Sequence, residues 1–467
     1  MRVMGTADVL TDGEVRVIVD TARRILAEIG VKIPNTRMLQ VLSDFGAEID
    51  PDRQVVTFPS RLMDRFTAET IRATEQPGPP LTFHAGAYPQ YYADPRTGEV
   101  REHTLQSIAD MTRLCDSLAN VTSLYDGMGV PCDVTWPLAP LYMRLLAWKH
   151  TRKGGCGQVQ VTRLCSYAIE MGEVMAEREG GRLSDYAFLT IEMISPLQFG
   201  REEMEQFVTY WERGLPVSLG QILSAGGTSP ATLAGTVALE LAENLVINLI
   251  NRVFYGIRTL HFSNSATVLD LRSAAFRYGR PELGLTHLAM GQLARHFGGD
   301  FGANSLLGDA KVPSCEMGMQ KALNAIPAIM AGSLGIGTLG LLSVDEIGSP
   351  IQLIIDNEYA GALQRFARGF EVDEEHLAFD LIKELGPGGL FTGTAHTVRH
   401  YRKEHWQPDL FSREMYNSWI AGDHKIDTER AMDVFERVMH SQEKLYIRPE
   451  TESALLRVID DAREHLL

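Results

Sequence analysis

The sequence has few cysteines, five in 467 residues, and they are scattered rather than arranged in CxxC pairs. An odd number of scattered cysteines does not make a disulfide framework, so reduced thiols and a cytoplasmic location are expected. None of the cysteines belongs to a cluster with the ligand spacing of a zinc site, and no metal is expected to bind this chain.

Long apolar runs are missing as well. The first fifteen residues contain no apolar segment of the kind that forms the core of a signal peptide. No stretch of about 18 apolar residues is free of charge, so no transmembrane helix is expected.

Positive charge is scarce, because 44 Lys and Arg residues stand against 60 Asp and Glu residues, for a net charge of −16. This balance disfavours nucleic acid and anionic membranes as partners, since both require clustered basic residues. It is compatible with a cationic substrate or a basic protein partner. An acidic surface can also serve solubility alone.

The order of the predicted elements indicates an α/β protein. Residues 1–104 predict N-terminal helices and a hairpin, turning at DPRTGE, that caps one end of the fold. From about residue 105 onward, β-rich runs alternate with helical segments, and residues 417–467 predict a helical tail. The predicted strands cover residues 120–128, 153–161, 186–196, 216–227, 254–262, 300–307, 328–336 and 388–396.

Eight strands separated by helices predict a TIM-type (β/α)8 barrel that spans residues 1–467 as a single domain. A doubly wound open sheet is the alternative, because the sixth and seventh predicted strands are rich in glycine.

The active site of such a barrel lies at the C-terminal ends of the strands, and this rule selects the polar residues there. Glu192 is the first candidate, because a carboxylate in the apolar strand FLTIEMI is costly unless it is paired or functional. Asp309 and Glu316 follow the sixth strand, although Asp309 and Lys311 can also form a simple ion pair. These three carboxylates are the candidate catalytic residues. The other residues that the rule selects are Tyr125, Asp126, Gln158, Gln160, Ser195, Gln221, His261, Asn264 and His396.

Three short motifs predict structure rather than chemistry. GGTSP (226–230) and GIGTLG (335–340) are similar in spacing to phosphate-binding and dinucleotide-binding turns. The first has no GK[ST] and the second has no surrounding dinucleotide unit, so tight turns are expected. His396 and His400 have the spacing of a metal pair on a helix, but the sequence shows no third ligand.

Aromatic side chains are a further chemical resource, because the negative face of a ring attracts quaternary ammonium groups. The rings considered for this role are Tyr92, Tyr125, Trp136, Phe391 and Tyr401. An aromatic residue is more often part of a core than of a cation site, so each ring has this second interpretation.

Three segments together resemble the trimethylamine methyltransferase family. They are GGTSPATLAGTVALELAENL (226–245), LDLRSAAFRYGRPELGL (269–285) and GPGGLFTGTAHTVRHYRKEHWQPDLFSREMYNSW (386–419). The third block is the longest and the most specific, and the similarity extends from the N-terminal helices to about residue 450.

The resemblance implies a β/α barrel that moves a methyl group from an amine to the Co(I) of a corrinoid, a cobalamin carried by a separate partner protein. No cofactor is then bound tightly by this chain. The trimethylamine enzymes of the family carry pyrrolysine, which this sequence lacks. The resemblance therefore implies the non-pyrrolysine branch and a small quaternary amine similar to glycine betaine. The residues expected to bind it are Tyr92, Tyr125, Asp126, Gln158, Gln221, Arg272, Phe391 and His396.

The segment after GDAK departs from the family pattern D-x-Q-x-x-x-E, since Ser314, Glu316 and Gln320 stand at the matching positions. This departure leaves the identity of the amine open. Trimethylamine or another methylamine is one alternative donor. A barrel lyase or hydrolase that uses Glu192 and Asp309 is a second alternative, and a quaternary-amine-binding protein without turnover is a third. A homo-oligomer is expected in each case.

Overall fold

Two parallel sheets form the centre of the chain. The computed structural model describes residues 3–72, 81–155, 157–159 and 161–466, with the backbone but not the side chains of residues 125 and 126. The first sheet has the strand order β5-β6-β7-β1-β2, and the second pairs β3 with β4, all in parallel. The strands are β1 (Thr82–Ala87), β2 (Ser123–Met128), β3 (Leu189–Met193), β4 (Val217–Gln221), β5 (His261–Asn264), β6 (Asp300–Asn304) and β7 (Gly335–Leu339).

This arrangement confirms an α/β fold, but the strands of the described residues do not pair into a closed barrel. The segment 153–159, which the sequence predicts to be a strand, runs between β2 and β3. The Leu124 amide donates to the Lys153 carbonyl (2.8 Å), and the Thr190 amide donates to the Gly157 carbonyl (3.1 Å). The glycines of the segment disfavour a regular ladder, so the strand predicted at 153–161 is wrong. Cys156 and Gln160 lie outside the described residues.

A second interruption separates β4 from β5. The Gln221 side-chain amide donates to the Ser263 carbonyl (3.2 Å). Just beyond both strands, the Thr267 amide donates to the Leu223 carbonyl (2.8 Å). The two strands therefore lie side by side without forming a continuous ladder.

Three further sequence predictions are corrected by the structure. Of the strand predicted at 328–336, residues 328–331 are the end of a helix, which stops at Gly332 because this glycine takes a left-handed conformation (φ 107°), and only 335 and 336 belong to β7. The strand predicted at 388–396 is absent, since GGLFTGT lacks the alternation that a strand requires. The run at 82–87, expected to cap the fold as part of a hairpin, is instead the central strand β1. A hairpin does form just after it, between Tyr91–Ala93 and Val100–Glu102.

Helices surround the two sheets, and the sequence marks many of their ends. Pro281 and Pro350 begin helices at a position where the missing amide proton is not needed. Ser314 and Ser349 cap helices through hydrogen bonds from Met317 N and Gln352 N. The α-helices are Asp12–Arg24, Thr36–Phe45, Ser60–Ala68, Leu105–Ser117, Ala139–His150, Cys165–Glu179, Leu183–Tyr186, Arg201–Glu212, Leu233–Tyr255, Pro281–Phe297, Cys315–Ala331, Pro350–Arg368, Glu374–Leu377, Phe379–Leu385, Ala395–Glu404, Tyr416–Ala421, Asp427–His440 and Pro449–Leu466.

Short elements complete the structure. A π-helical turn spans Ile25–Ile29, and a 3-10 turn spans Thr162–Leu164. The remaining strands are Val31–Lys32, Glu48–Asp50, Val55–Thr57, Ser224–Ala225, Thr267–Asp270, Ala275–Arg277, Leu341–Leu342 and Ile347–Gly348. The predicted helical tail is confirmed, and its last helix packs against the helix Cys165–Glu179.

The helix α1 (Leu233–Tyr255) is the longest in the described residues and is apolar almost all round. Its length and composition would allow it to cross a membrane, but 83% of its most apolar window is buried inside the protein. It also carries the buried carboxylates Glu240 and Glu243, which hold neighbouring loops. These features are those of a core helix.

Candidate active site

The parallel strands carry apolar residues on one face and polar or small residues on the other. Phe83, Ile191 and Phe262 represent the apolar face, which is buried against the helices. Glu192 is next to Ile191 and His261 is next to Phe262, so their side chains lie on the opposite face, where both keep contact with solvent. Because side chains alternate across a strand, this polar face of the sheets is where a ligand can meet ionisable groups.

Glu192 lies on the polar face of β3, against Gly220 of the neighbouring strand β4. The two residues are partners in the ladder, and a β-carbon added to Gly220 would lie only 2.3 Å from Glu192 Oε2. The glycine thus provides the space that the carboxylate occupies. Glu192 is the one predicted catalytic residue that the structure places within a central strand.

Two histidines on the polar face are accommodated in the same way. A β-carbon on Gly302 would lie 3.3 Å from His261 Nε2, and one on Gly335 would lie 3.0 Å from His84 Nε2. The His84 ring also hydrogen-bonds through Nδ1 to Ser123. Burial lowers the pKa of His84, so its neutral form is favoured.

Tyr278 covers the carboxyl ends of the strands. It is buried and packs in one apolar cluster with Ala87, Leu307 and Leu341, which follow or end β1, β6 and β7. Its backbone amide donates to Asp309 Oδ1 (3.0 Å). Asp309 therefore holds the backbone of Tyr278 in place. It lies in the loop after β6 and does not belong to a strand.

Negative charge gathers around this tyrosine. Burial raises the pKa of the Tyr278 phenol, and the nearby Asp345, Tyr88 and Glu192 raise it further. Burial also raises the pKa of Asp345. Tyr88 packs against the same cluster as Tyr278, and so does Val344, the neighbour of Asp345. Acidic and aromatic side chains at the carboxyl end of the strands suit a small organic cation.

A cleft of about 640 Å³ opens beside Tyr278. Asp309 and Glu316 both line it, and Gln320 links them: its Oε1 accepts from Asp309 N (2.7 Å), and its Nε2 donates to Glu316 Oε1 (3.0 Å). Its cationic groups are Arg277, Arg280 and Lys311, of which Arg280 pairs with Asp270 (3.0 Å). The departure from the family pattern at 314–320 therefore lies in the wall of this cleft.

Glu240 of α1 holds the turn after β5. Its carboxylate accepts hydrogen bonds from Asn264 Nδ2 (2.5 Å) and Ser265 N (2.8 Å). Burial raises the pKa of Glu240 to about 8, against the lowering effect of these bonds. The side chain of Gln221 bonds to the same carboxylate. Glu240 and Gln221 thus position the strand ends from the helix side.

Glu243, one turn further along α1, holds the turn after β3. Its carboxylate accepts from Ser195 Oγ (2.8 Å) and Leu197 N (2.8 Å). Leu197 has a positive φ of 57°, a conformation that a non-glycine residue keeps only when its surroundings hold it. Burial raises the pKa of Glu243 to about 7.

The raised pKa of Glu243 predicts a stability that falls as the pH rises. In the unfolded chain this carboxyl has its ordinary pKa of 4.5, whereas in the folded protein its pKa is about 7. The free energy of unfolding should therefore decrease from about pH 5 to pH 8 by on the order of 2 kcal/mol from this group. Glu243→Gln keeps a partner for Leu197 and Ser195, and it should flatten this dependence in denaturant titrations. Equal slopes in the two proteins contradict the prediction.

The structure places three predicted binding residues away from the polar face. Gln221 faces α1, as its bonds to Ser263 and Glu240 show. Tyr92 is buried against His103, with the Arg101 guanidinium 4.9 Å from its ring centre, so its face is already occupied. Arg272 lies exposed in the turn after Thr267–Asp270 and does not line the cleft.

Phe391 and His396 lie in the region where no strand forms. Phe391 is exposed, and its carbonyl accepts from Thr394 and Thr397. His396 stacks on His400, with ring centres 4.4 Å apart.

The His396–His400 pair lies near an acidic loop. His400 is within 5.2 Å of the His376 ring and 3.2 Å of Glu375. Among the described residues, one group of potential metal ligands is close together: Glu371, Asp373 and His376. Asp373 caps the short helix Glu374–Leu377 by accepting from His376 N (2.8 Å), and capping accounts for this group without a metal.

Three other predicted residues lie on or beside the central strands, and two of them are only partly described. Tyr125 and Asp126 belong to β2, and their side chains lie outside the described residues. Gln158 lies in the segment between β2 and β3, where its carbonyl accepts from Arg144 (2.9 Å). The backbone thus keeps all three near the strands that carry the polar face.

Sequence reasoning missed His84, Tyr278, Asp345 and the arginines of the cleft. His84 was hidden because its strand resembles half of a hairpin. Tyr278 and Arg277 belong to a short hairpin, and Asp345 to a loop that strand periodicity does not mark. The spacing of glycines on alternate positions, as in GIG of β7, was the available signal.

Comparisons with known proteins show which sequences the whole chain is similar to. A family model described as trimethylamine methyltransferase matches residues 1–466. The glycine betaine methyltransferase of Desulfitobacterium hafniense (strain Y51) is 26% identical over 464 residues, covering 96% of this chain and 95% of the relative. The trimethylamine methyltransferase MttB of D. hafniense (strain DSM 10664 / DCB-2) is 25% identical, covering 97% and 93%.

Solved structures with a similar outline include the monomethylamine methyltransferase MtmB of Methanosarcina barkeri. That chain is 11% identical and gives a TM-score of 0.46, with 97% of this chain and 95% of that chain covered. The hydroxylamine complex of MtmB gives a TM-score of 0.47 at the same identity and coverage. TM-scores below 0.5 do not support a conclusion about this chain.

Proposed function

Because the chain belongs to the trimethylamine methyltransferase family, we propose that it transfers a methyl group from a small quaternary amine, similar to glycine betaine, to the Co(I) of a corrinoid on a separate protein. The observation that carries this proposal is the packing of Tyr88 and Tyr278 in one cluster with Ala87, Leu307 and Leu341 at the carboxyl end of the strands, next to the loop that carries Asp345. Carboxylates and aromatic rings are the side chains that bind a methylated ammonium ion.

We further propose that the sheets belong to a single (β/α)8 barrel in which the segment 153–159 takes the place of a strand between β2 and β3. Its hydrogen bonds to Leu124 and Thr190 support this position. The pair between Gln221 and Ser263 supports the neighbouring position of β4 and β5. A barrel would turn the polar face of all the strands inward, around one substrate.

The reaction needs little acid–base chemistry from this chain. The carbon–nitrogen bond would break with its electron pair remaining on nitrogen, and the Co(I) of the corrinoid would supply the electron pair for the new cobalt–carbon bond. The leaving group is a neutral tertiary amine, so no proton has to be supplied. The residues of the site bind the cation, align one methyl group with the open carboxyl end and exclude water. Glu192 and Asp345 hold the positive charge, and Tyr278 closes the site above it.

Gly220→Ala tests whether Glu192 must occupy its present place. The added methyl group would lie 2.3 Å from Glu192 Oε2, closer than van der Waals contact allows. We therefore expect it to push Glu192 aside and to lower kcat/KM by about tenfold or more. The backbone at this position is extended and accepts alanine. Gly13→Ala, on the exposed side of the helix Asp12–Arg24, where the added carbon meets nothing closer than 3.9 Å, is the matched control and should retain activity. Equal rates for Gly220→Ala and the wild type contradict the assignment.

Arg280→Ala tests whether the cleft binds a carboxylate on the substrate. Loss of a charged hydrogen bond is worth about 1.5–3 kcal/mol. We therefore expect KM for glycine betaine to rise about tenfold or more, whereas KM for tetramethylammonium, which has no carboxylate, should change little. Arg182→Ala removes a similar ion pair, with Asp185 at 2.9 Å, on the exposed surface and serves as the control. A parallel change for both donors places the carboxylate elsewhere.

The direct test of the proposed function uses the purified chain, cobalamin reduced to Co(I) and a panel of donors. The donors are glycine betaine, a carnitine-like betaine, tetramethylammonium and trimethylamine. We expect the Co(I) absorbance to decay only with a quaternary amine, with the demethylated amine appearing in equal amount by mass spectrometry. Decay with trimethylamine alone would shift the proposal to that donor. Tight binding by calorimetry without any product would replace it with a binding protein.

A further inference from the structure

Gln320 belongs to the helix α2 (Cys315–Ala331), next to the loops at the carboxyl end of the strands. The residue is only 7% exposed, and both polar atoms of its side-chain amide are bonded. Its Oε1 accepts from Asp309 N (2.7 Å) and Ala310 N (3.3 Å), and its Nε2 donates to Glu316 Oε1 (3.0 Å). A buried amide with three hydrogen bonds holds its neighbours in one arrangement.

The loop after β6, which bonds to Gln320, is itself bonded to the loop after β7. The carbonyl of Gly308 accepts from Val344 N (2.8 Å). The carbonyl of Ala310 accepts from Ser343 N (2.8 Å). Because these are backbone bonds, a shift of the first loop moves the second one with it.

Ser343 and Val344 depend on this support. They have positive φ angles of 51° and 70°. For a side chain that branches at the β-carbon, such as Val344, this conformation is strained and persists only where surrounding contacts hold it. The next residue in the chain is Asp345. The bonds from the loop after β6 therefore fix the backbone from which Asp345 reaches the site.

The segment after β5 contacts the same amide. Gly279 packs so closely on Gln320 that a β-carbon there would lie 2.6 Å from Nε2. The preceding residue, Tyr278, donates its backbone amide to Asp309 Oδ1 (3.0 Å), and the backbone of Asp309 is held by Gln320. Tyr278 and Val344 then pack in one apolar cluster. Three segments thus meet around one side-chain amide.

Glu316 and Gln320 exchange an acid and an amide relative to the family pattern. The pattern D-x-Q-x-x-x-E has glutamine where this chain has Glu316, and glutamate where it has Gln320. Either order supplies one donor and one acceptor, so the hydrogen bond between the two side chains is kept. In this chain the buried position is neutral, and the charge lies on Glu316, which is exposed and lines the cleft.

We propose that Gln320 is a positioning residue of the site, whose amide ties the segments after β5, β6 and β7 together and so sets where Tyr278 and Asp345 lie. Gln320 does not contact the methyl donor and acts only through these two residues. The inference rests on the proposed function for its effect on the reaction, whereas the coupling of the three segments belongs to the fold.

Hydrogen exchange followed by mass spectrometry tests the coupling without any substrate. Gln320→Met keeps a similar volume and removes all three side-chain hydrogen bonds. We expect the segments 276–282, 305–313 and 340–347 all to exchange about tenfold faster than in the wild type, while α1 does not change. Faster exchange that is confined to 305–313 overturns the proposal.

Gln292→Met is the matched control for this experiment. Gln292 lies on the helix Pro281–Phe297, and its Oε1 also accepts from two consecutive backbone amides, Val9 N (2.9 Å) and Leu10 N (2.8 Å). Its loss should speed exchange near the N-terminus and leave the three segments at the strand ends unchanged. Equal effects of the two variants on those segments overturn the proposal.

Gln320→Glu gives a kinetic readout that a purely structural role would not move. Two carboxylates that face each other at about 3.0 Å cannot both be charged, so the pair with Glu316 has to share a proton. With that proton the pair still has a donor and an acceptor, and without it the two side chains repel each other. Relative to the wild type, kcat/KM for tetramethylammonium should be near normal at about pH 6 and about tenfold lower at about pH 9, through a higher KM. The other charged groups of the cleft are the same in both proteins: Asp270, Arg277, Arg280, Asp309 and Lys311.

The double variant Glu316→Gln/Gln320→Glu tests rescue. It has a donor and an acceptor at every pH, so we expect kcat/KM within about threefold of the wild type and no added pH dependence. Because it keeps every hydrogen bond, it also covers the case in which Gln320→Met does not fold. A Gln320→Glu rate that keeps the same ratio to the wild type at every pH, or a double variant that is no better, overturns the proposal. A wild type that demethylates no donor contradicts the proposed function instead, and hydrogen exchange then still decides the role of Gln320.

Discussion

Lys321→Met is expected to lower the free energy of unfolding by about 3–5 kcal/mol, since removing one partner of a buried ion pair leaves the other charge without compensation. Lys321 Nζ lies 2.6 Å from Asp356 Oδ2, and both side chains are completely buried. Burial lowers the pKa of Lys321, while Asp356 holds it charged. The Asp356 carboxylate also accepts a hydrogen bond from the Gly340 amide. When Asp356 loses Lys321, the loop that follows Gly340 and carries Asp345 should loosen as well.

The pair Lys149–Glu452 provides a matched control for this prediction. Its nitrogen and oxygen are also 2.6 Å apart, but about a quarter of each side chain is exposed. Lys149→Met should therefore cost no more than about 1 kcal/mol. The double variant Lys321→Met/Asp356→Leu should recover part of the loss, because it removes both buried charges. Urea titrations give all of these values. A Lys321→Met loss as small as that of Lys149→Met means that the pair contributes little.

Glu192→Gln is expected to give the largest loss of activity, at least about 100-fold in kcat/KM. Removing the charge from a half-buried carboxylate that faces a cation costs about 2–5 kcal/mol, and each 1.4 kcal/mol is a factor of ten. The amide has the same shape, so the fold and the contact with Gly220 should remain. Initial rates with glycine betaine and Co(I) cobalamin measure the effect, and the melting temperature should change little.

Glu202→Gln serves as the control for that experiment. Glu202 also bears a single charge, but its carboxylate bonds to Thr162 on the surface side of the helix Arg201–Glu212. Full activity in this control together with a loss in Glu192→Gln assigns the effect to the site. Glu192→Gln with near wild-type rates would leave Asp345 as the carboxylate that binds the cation.

Local patterns predicted much of the architecture, and the reasons are physical. Glu192 was found because a charged residue inside an apolar strand is costly, a rule that needs no tertiary information. The strands β2, β3, β4 and β6 were found from their β-branched and apolar runs. Capping residues such as Ser314 and Ser349 agree with the observed helix starts.

The errors arise where tertiary contacts override local pattern. GGCGQ was predicted to be a strand because two neighbouring strands do lie beside it, but the bonds from Leu124 N to the Lys153 carbonyl and from Thr190 N to the Gly157 carbonyl do not belong to a regular ladder. β1 was assigned to a hairpin, because nothing in TFHAGA shows that β7 and β2 lie on both of its sides. Phe391 and His396 were assigned to the end of a strand, within the block 386–419. The sequence of that block indicates the family, but it does not show where these residues lie in the fold. In the structure both residues lie in the stretch that follows the helix Pro350–Arg368, where no strand forms.

The glycines beneath Glu192, His261 and His84 make the shape of the site easy to change during evolution. A single added methyl group at Gly220, Gly302 or Gly335 would move one ionisable side chain without altering the backbone. Relatives could therefore acquire a different donor by one small substitution per strand, while the helices that hold the loops stay the same. Enzymes for related amines can diversify on such a scaffold without first losing their stability.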